Sequence, residues 1–213
     1  MSVEVRGKVG EQNLAKGALA PPTLNRHGHV VWQQSLQAAA ERGRVFFACL
    51  QAPDAMANGL SGTTPVLTLY NPAGSGVTGR LWKAVTVNEV ATGAAAAVWL
   101  AAGSNTVGAT TTGTITTAHR CSKLGGITPA SQGNRIVALV DATLPAAPVA
   151  IDLLGVALTG AITTVPSYKA LSKWYYGGLL IQPGCNISVQ SSTVTEASSS
   201  YVSFMWEECD LIE

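Results

Sequence analysis

The sequence predicts an all-β protein: a jelly-roll-like antiparallel β-sandwich with an extended N-terminal arm and at most one short helix. Three observations predict it. From Val45 onward, short apolar or alternating stretches are separated by turns rich in Gly, Pro, Asn and Thr. Helical patterns do not alternate with these stretches, which argues against a parallel α/β sheet. The first 30 residues are polar, are interrupted by Pro21-Pro22 and have no sustained period.

Two regions follow from this pattern, an arm over residues 1–44 and a sandwich domain over residues 45–213. A segment with the composition of the arm does not fold in isolation, so it needs a partner. Within the arm, residues 31–42 predict a short helix, because Trp32, Leu36 and Ala39 or Ala40 share one face. Gly43 is a suitable stop. A strand over residues 30–32 followed by a loop is the alternative.

The sandwich domain contains short segments with strand patterns, and the last of them shows the clearest alternation. Val202, Phe204 and Trp206 fall on one face, which we expect to be core. Thr106–117 fits a Thr-rich edge strand or an exposed loop. The predicted strands are 45–51, 65–70, 80–90, 95–102, 112–120, 135–140, 149–158, 176–182, 185–192 and 200–206.

The stretch NPAGSGVTGR (71–80) matches the G-x-G-x-x-G spacing of a dinucleotide-binding loop. Such a loop requires a helix after the glycines, but residues 81–88 alternate with period two and predict a strand. The acidic residue that would bind the ribose is also missing, because no Asp or Glu lies between Glu89 and Asp141. We therefore expect a strand–loop–strand connection in which the glycines supply positive φ. The glycines are Gly74, Gly76 and Gly79.

The composition indicates a protein whose surface is largely covered by copies of itself or by partners. Charged residues make up 12% of the chain, against about 25% in a typical soluble protein. Hydrophobic residues reach 47% while aromatic residues are 6%. A soluble monomer with a Thr- and Ser-rich surface is the alternative. A net charge of +1 argues against a nucleic-acid binder, and the lack of an 18-residue apolar run or a signal-peptide pattern argues against a membrane protein.

Charge is unevenly placed along the chain, with bases near the start and acids near the end. A basic arm and an acidic tail can pair between neighbouring subunits, or both can be solvated ends. The bases of the first 50 residues are Arg6, Lys8, Lys16, Arg26, Arg42 and Arg44. The acids of the tail are Glu196, Glu207, Glu208, Asp210 and Glu213.

Residues that can carry chemistry do not form a recognisable catalytic, cofactor or metal pattern. His27 and His29 form an H-x-H pair without a third ligand nearby in sequence. Glu207 and Glu208 are adjacent on a strand and so point to opposite faces, which favours a solvated terminus or an intersubunit contact. Ser75 is not in a G-x-S-x-G elbow. The cysteines are Cys49, Cys121, Cys185 and Cys209. We expect them to be buried free thiols, and two disulfides are the alternative.

The run Trp174-Tyr175-Tyr176 is the best candidate for a binding patch. Adjacent aromatic residues of this kind line sugar-binding grooves at receptor-binding tips. Core packing or a subunit interface explains aromatic residues in a β-sandwich equally well.

Two stretches resemble small virion proteins of tailed bacteriophages. The first is LYNPAGSG (69–76) followed by an alternating strand, and the second is GLLIQPG (178–184) followed by a strand, a Ser/Thr loop and FMWEE (204–208). Together they span residues 60–208. The resemblance implies a jelly-roll-like structural protein, often trimeric, that decorates or cements the capsid or sits on a head fibre or tail. It implies no catalytic residues.

The expected function is therefore that of a non-enzymatic virion protein on the capsid surface, assembled in the host cytoplasm. Its expected partners are the major capsid protein and copies of itself in a homotrimer, without cofactor, membrane or direct nucleic-acid binding. A receptor- or glycan-binding module of a fibre or tail is the alternative. The residues expected at interfaces are Arg6, Lys8, Arg26, Trp32, Trp174, Tyr175 and Tyr176.

Overall fold

The computed structural model describes residues 35–56, 59–63, 65–88, 96–104, 110–116, 118–120, 134–157, 170–192 and 199–210. The chain divides into two units, Met1–Ala38 and Ala39–Glu213, and the sandwich belongs entirely to the second. The elements are α1 (Ser35–Glu41), β1 (Val45–Cys49), β2 (Asp54–Ala55), β3 (Thr68–Tyr70), β4 (Val77–Asn88), β5 (Ala96–Ser104), β6 (Thr112–Thr116), β7 (Ala118–Arg120), β8 (Val137–Thr143), β9 (Val149–Ala157), β10 (Ala170–Ile181), β11 (Cys185–Ser191) and β12 (Ser199–Asp210).

The strands form two antiparallel six-stranded sheets, which confirms the prediction of an all-β sandwich. In the first sheet the order is β10-β4-β12-β1-β7, with β2 also paired to β12. In the second sheet the order is β6-β8-β3-β11-β5-β9. Strands β9 and β10 are therefore edge strands of different sheets.

The single described helix, α1 (Ser35–Glu41), confirms the predicted short helix; residues 31–34 of the prediction lie outside the described residues. It ends at Glu41, and Gly43 is the stop that the sequence predicted: its φ of 70° is the left-handed value that glycine adopts just beyond helix C-termini. The N–H of Gly43 donates to the carbonyl of Ala40 at 2.9 Å, and the N–H of Arg44 donates to the carbonyl of Ala39 at 2.9 Å. These bonds satisfy carbonyls that the end of the helix leaves free.

The core lies between the sheets, and the last strand contributes its centre. Val202, Phe204 and Trp206 are all buried in it, as the alternation predicted. The ring of Phe46 on the neighbouring strand β1 stacks on Trp206 at a centroid distance of 5.9 Å. Strand β12 is thus paired on both sides and covered on its inner face.

The strand predictions need four corrections. The single strand predicted over 112–120 is two strands, β6 at the edge of the second sheet and β7 at the edge of the first. Strand β10 starts at Ala170, earlier than predicted, and β2 was not predicted at all. The period-two alternation predicted for residues 81–88 is interrupted at its start, because the register between β4 and β12 shifts beside Leu81 and turns Leu81 into the core with Ala84.

Candidate functional site

The glycine-rich stretch is a corner that joins the two sheets. Gly74 and Gly76 have φ values of 80° and 72°, so they supply the positive φ that the sequence predicted. Gly79 has a different role: a Cβ there would lie 2.5 Å from Ile136 Cδ1 and 3.2 Å from Ile181 Cβ. Strand β4, not a helix, follows the loop, so the helix N-terminus on which a dinucleotide loop depends is not formed here.

Asn71 links this corner to the turn between β10 and β11. Its Nδ2 donates to the carbonyls of Val77 and Ile181, both at 2.8 Å. Its own carbonyl accepts from Gly184 N–H at 2.7 Å, and its N–H donates to the Cys185 carbonyl at 3.0 Å. Two of the turns that carry the chain between the sheets, β3 to β4 and β10 to β11, are therefore fastened by one buried side chain and its backbone.

Glu207 and Glu208 point to opposite faces as predicted, but both are buried, so the expectation of a solvated terminus is wrong. Glu207 pairs with Arg44 at 3.1 Å within the same chain and accepts from Trp82 Nε1 at 3.4 Å. This pair joins one base of the first 50 residues to one acid of the tail inside a single subunit.

Glu208 fastens the segment that leads into β8. The N–H of Arg135 donates to both carboxylate oxygens, at 2.9 and 3.0 Å, and the N–H of Ile136 donates to Oε1 at 2.9 Å. Burial raises the pKa of Glu208, although these backbone bonds act to lower it. Both carboxylates thus have structural partners, and neither faces the other.

The described cysteines are free thiols. Cys209 is buried as expected, whereas Cys49 and Cys185 are half-buried. Burial raises the pKa of Cys49, and burial together with a hydrogen bond to Glu207 raises the pKa of Cys209 to about 11. A raised thiol pKa is the opposite of what an activated nucleophile needs.

Exposed apolar side chains are concentrated on the two edge strands β9 and β10. Of the eight large hydrophobic residues that are exposed in the described part of the chain, seven lie on these strands. They are Val149, Ile151, Leu153, Val156, Trp174, Tyr176 and Leu180; the eighth, on β6, is Ile115. A concentration of this kind marks a binding surface more often than single exposed residues do.

The gap between β9 and β10 is closed along part of its length. At one end Gly155 lies so close to Leu171 that a Cβ would come within 2.8 Å of Leu171 Cδ2. Next along the strands, Asp152 binds Lys173 Nζ at 2.7 Å through Oδ1 and accepts from the Tyr175 hydroxyl at 2.8 Å through Oδ2. We call these three residues, Asp152, Lys173 and Tyr175, the clasp.

Beyond the clasp the gap opens into an apolar groove of about 470 Å³. We call it the edge groove. Its walls come from Val149 and Ile151 of β9 and from Leu179 and Leu180 of β10, and Cys185 also lines it. No residue that lines the groove in the described part of the chain carries a charge.

A bulge in β10 projects aromatic rings beside the clasp. The register between β10 and β4 shifts between Trp174 and Leu179, and Tyr176 has a φ of 53°, a left-handed value that is uncommon for an aromatic residue. The rings of Trp174 and Tyr176 stack at a centroid distance of 5.9 Å, and Lys83 Nζ lies 4.9 Å from the Trp174 ring. Trp174 is 42% exposed and Tyr176 is 74% exposed. We call this stacked pair the aromatic knob.

The structure separates the aromatic run predicted as one patch. Trp174 and Tyr176 project into solvent, whereas Tyr175 is half-buried against the core and belongs to the clasp. The other residues predicted at interfaces, Arg6, Lys8, Arg26 and Trp32, lie outside the described residues, as do His27, His29 and Cys121.

The edge groove was missed by sequence reasoning. The stretch 149–158 was predicted to be a strand, but its alternation does not reveal whether a neighbouring strand covers it. The only available signal was that its apolar residues continue on both faces.

Comparisons with protein-family models, with curated proteins and with solved structures return no match to this chain. Within the described residues, no helix has the length and apolar character needed to cross a bilayer. The same part of the chain contains no group of three or more His, Cys, Asp or Glu placed to hold a metal ion.

Proposed function

We propose that this chain is a non-enzymatic structural protein of a bacteriophage virion, which decorates or cements the capsid through contacts with the major capsid protein and with copies of itself. The observation that carries the structural role is the concentration of exposed apolar side chains on β9 and β10. Such a surface is expected to be covered in the working state of the protein. The low content of charged residues, 12%, supports the same role.

The assignment to a virion rests on the resemblance of residues 60–208 to small virion proteins. The two stretches that carry this resemblance have a clear structural use here, since they form the corners fastened by Asn71. The buried carboxylates Glu207 and Glu208 also serve the fold through Arg44 and the backbone before β8. The contacts of these residues therefore support a structural role for the chain.

The proposal is tested by mixing the purified chain with capsids of its own phage that lack it. We expect the chain to bind in a fixed stoichiometry. The capsids that carry it should survive to a higher temperature, or at a lower salt concentration, than capsids that lack it. A chain that does not bind such capsids would contradict the proposal.

Deletion of residues 1–30 tests the role of the arm in attachment. If the shortened chain binds capsids as well as the full chain does, the arm is not needed for attachment.

A second function, glycan or receptor binding, is favoured by the aromatic knob. Exposed, stacked aromatic rings next to a cation, here Trp174, Tyr176 and Lys83, provide a flat apolar surface with a polar rim. Binding of host-surface polysaccharide by the wild-type chain, lost in Tyr176→Ala and Trp174→Ala, would establish it. An oligomer that ignores capsids and binds such polysaccharide belongs to this class.

A further inference from the structure

We infer that the β9–β10 edge is a contact between copies of this chain, in which the aromatic knob of one copy packs into the edge groove of another. This inference rests on the proposed function, because copies of this chain are among the partners proposed there. Two features that each need covering both involve strand β10: it carries the projecting pair of rings and forms one wall of the open apolar groove. A surface that carries both a projection and a matching recess can associate with its own copy.

The knob is held outward by the rest of the structure. Tyr175 is drawn inward by its 2.8 Å hydrogen bond to Asp152, and its neighbours on the strand, Trp174 and Tyr176, project the other way. Tyr176 keeps a left-handed φ of 53°, which costs free energy that glycine would not require. A strained backbone that places a 74% exposed ring in solvent is understandable when that ring has a partner.

The electrostatics of the edge permit contact with an identical surface. Strands β9 and β10 contain one acid and one base, Asp152 and Lys173, and these neutralise each other at 2.7 Å within each subunit. The groove itself has no charged lining residue in the described part of the chain. The cation beside the knob, Lys83, enters the contact with it, but the groove that receives the knob carries no charge to repel it. Like charges therefore do not meet between knob and groove, where they would oppose contact between identical surfaces.

The backbone of the edge indicates contact through side chains. Strand β10 is bulged between Trp174 and Leu179, and the pairing of β9 with β5 shifts register twice, between Val98 and Trp99 and between Leu100 and Ala101. Bulges of this kind protect an edge from continuous pairing with another strand. We therefore expect the copies to interlock by rings and groove, without a sheet that runs through both.

The first experiment measures the mass of the chain by light scattering over a concentration series. We expect a defined oligomer that dissociates on dilution. Tyr176→Ala removes the more exposed ring of the knob and Ile151→Lys places a charge in the groove wall. Each should raise the dissociation constant at least about tenfold, as loss of a central aromatic contact does. Ile115→Lys is the matched control: it changes the exposed hydrophobic residue on β6 and should leave the mass unchanged. Cooperative thermal unfolding of all three variants establishes that they are folded.

Mixing the two weakened variants tests the pairing of knob with groove directly. The Ile151→Lys copy keeps its knob and the Tyr176→Ala copy keeps its groove, so a mixed oligomer retains an intact contact that neither variant forms alone. With a tag on one variant, we expect the other to copurify more strongly than either variant copurifies with itself. Equal weakness in the mixture would overturn the inference.

Thiol labelling in the wild-type chain gives a readout without substitution. Cys185 lines the groove, while Cys49 is half-buried on β1 in the other sheet. We expect maleimide labelling of Cys185, located by mass spectrometry, to slow as concentration rises, while labelling of Cys49 stays constant. Labelling of Cys185 that does not depend on concentration would contradict the inference.

The outcomes separate this inference from the proposed function. A chain that stays monomeric but loses capsid binding in Tyr176→Ala would show that a capsid protein occupies the edge, which overturns the contact between copies and leaves the virion role standing. A monomer that loses polysaccharide binding in the same variant would overturn both. An oligomer that depends on knob and groove but ignores capsids would support the inference and remove the proposed function.

Discussion

At the scale of single residues, Gly79 is required by packing. It lies in β4 where Ile136 and Ile181 from neighbouring segments approach its Cα, and both are fully buried. Ile136 Cδ1 is the end of a flexible side chain, but Ile181 Cβ is fixed to the backbone of the paired strand β10, so an added methyl group would strain this contact. The absence of a Cβ therefore lets Ile136 and Ile181 pack against β4 without this strain.

We predict that Gly79→Ala destabilises the fold by about 1–3 kcal/mol, the usual cost of overpacking a core. Gly62→Ala is the control, because a Cβ there meets its nearest atom at an ordinary 3.5 Å and Gly62 has no positive φ. The free energy of unfolding in denaturant measures both. Equal stability of Gly79→Ala and the wild type would show that Ile136 can move aside.

Glu208 is a buried acid whose pKa is raised by burial. Because its pKa is higher in the folded chain than in the unfolded chain, the folded state binds the proton more tightly. The ionised form therefore costs stability at neutral pH, and this cost is relieved as the pH falls through the raised pKa.

We predict that the stability of the wild type relative to Glu208→Gln increases as the pH is lowered from 7 through the raised pKa. The variant cannot titrate, so the contributions of other groups cancel in the difference. Denaturant unfolding of both proteins over this range provides the measurement. A difference that is constant with pH would show that Glu208 has the same pKa in both states.

At the scale of elements, the bulge of β10 is the most unusual feature of the described chain. In a regular strand glycine is less stable than alanine by about 0.5–1 kcal/mol, because its unfolded state is more flexible. At Tyr176 the order should reverse, because alanine at a φ of 53° is strained and glycine is not.

We therefore predict that Tyr176→Gly is more stable than Tyr176→Ala by about 1 kcal/mol. Both variants lose the stacking on Trp174, so the comparison isolates the backbone. Trp174, which has no positive φ, is the control: there alanine should be more stable than glycine. Thermal or denaturant unfolding of the four variants decides. The same order at both positions would mean that the bulge relaxes when its ring is removed.

At the scale of the whole molecule, the clasp is the polar connection between the two edge strands, which belong to different sheets. Burial acts to raise the pKa of Asp152, but hydrogen bonds from Lys173 and Tyr175 outweigh it, and the net pKa is lowered. Since the folded pKa lies below the unfolded value of about 3.9, the clasp contributes stability above that value. This contribution is lost as the pH falls through the lowered pKa.

We predict that Asp152→Asn costs about 0.5–1 kcal/mol at pH 7, the range of a partly exposed ion pair, and that the cost vanishes in acid. Asp141 should show the opposite dependence of stability on pH, because burial and the nearby Asp54 raise its pKa. The wild type should gain stability relative to Asp141→Asn as the pH falls. Unfolding of the three proteins at neutral and acid pH checks both signs.

The sequence predicts more of the fold than of the candidate site. Most of the strand positions, the α1 stop at Gly43, the corner glycines Gly74 and Gly76, and the core face of β12 were predictable. Each is a local property: period two, a turn residue or a cap, all read within a few positions. The class of fold follows from counting such segments.

Tertiary structure alone decided how those segments are used. Strand pairing is non-local, so the sequence did not show that β6 and β7 enter different sheets, that Glu207 and Glu208 are buried, or that β9 and β10 remain at adjacent edges. An apolar residue in an edge strand has the same local pattern as one in a central strand. Val149 and Ile151 became the wall of an open groove because no described strand packs over that edge, and this is determined by the whole sandwich.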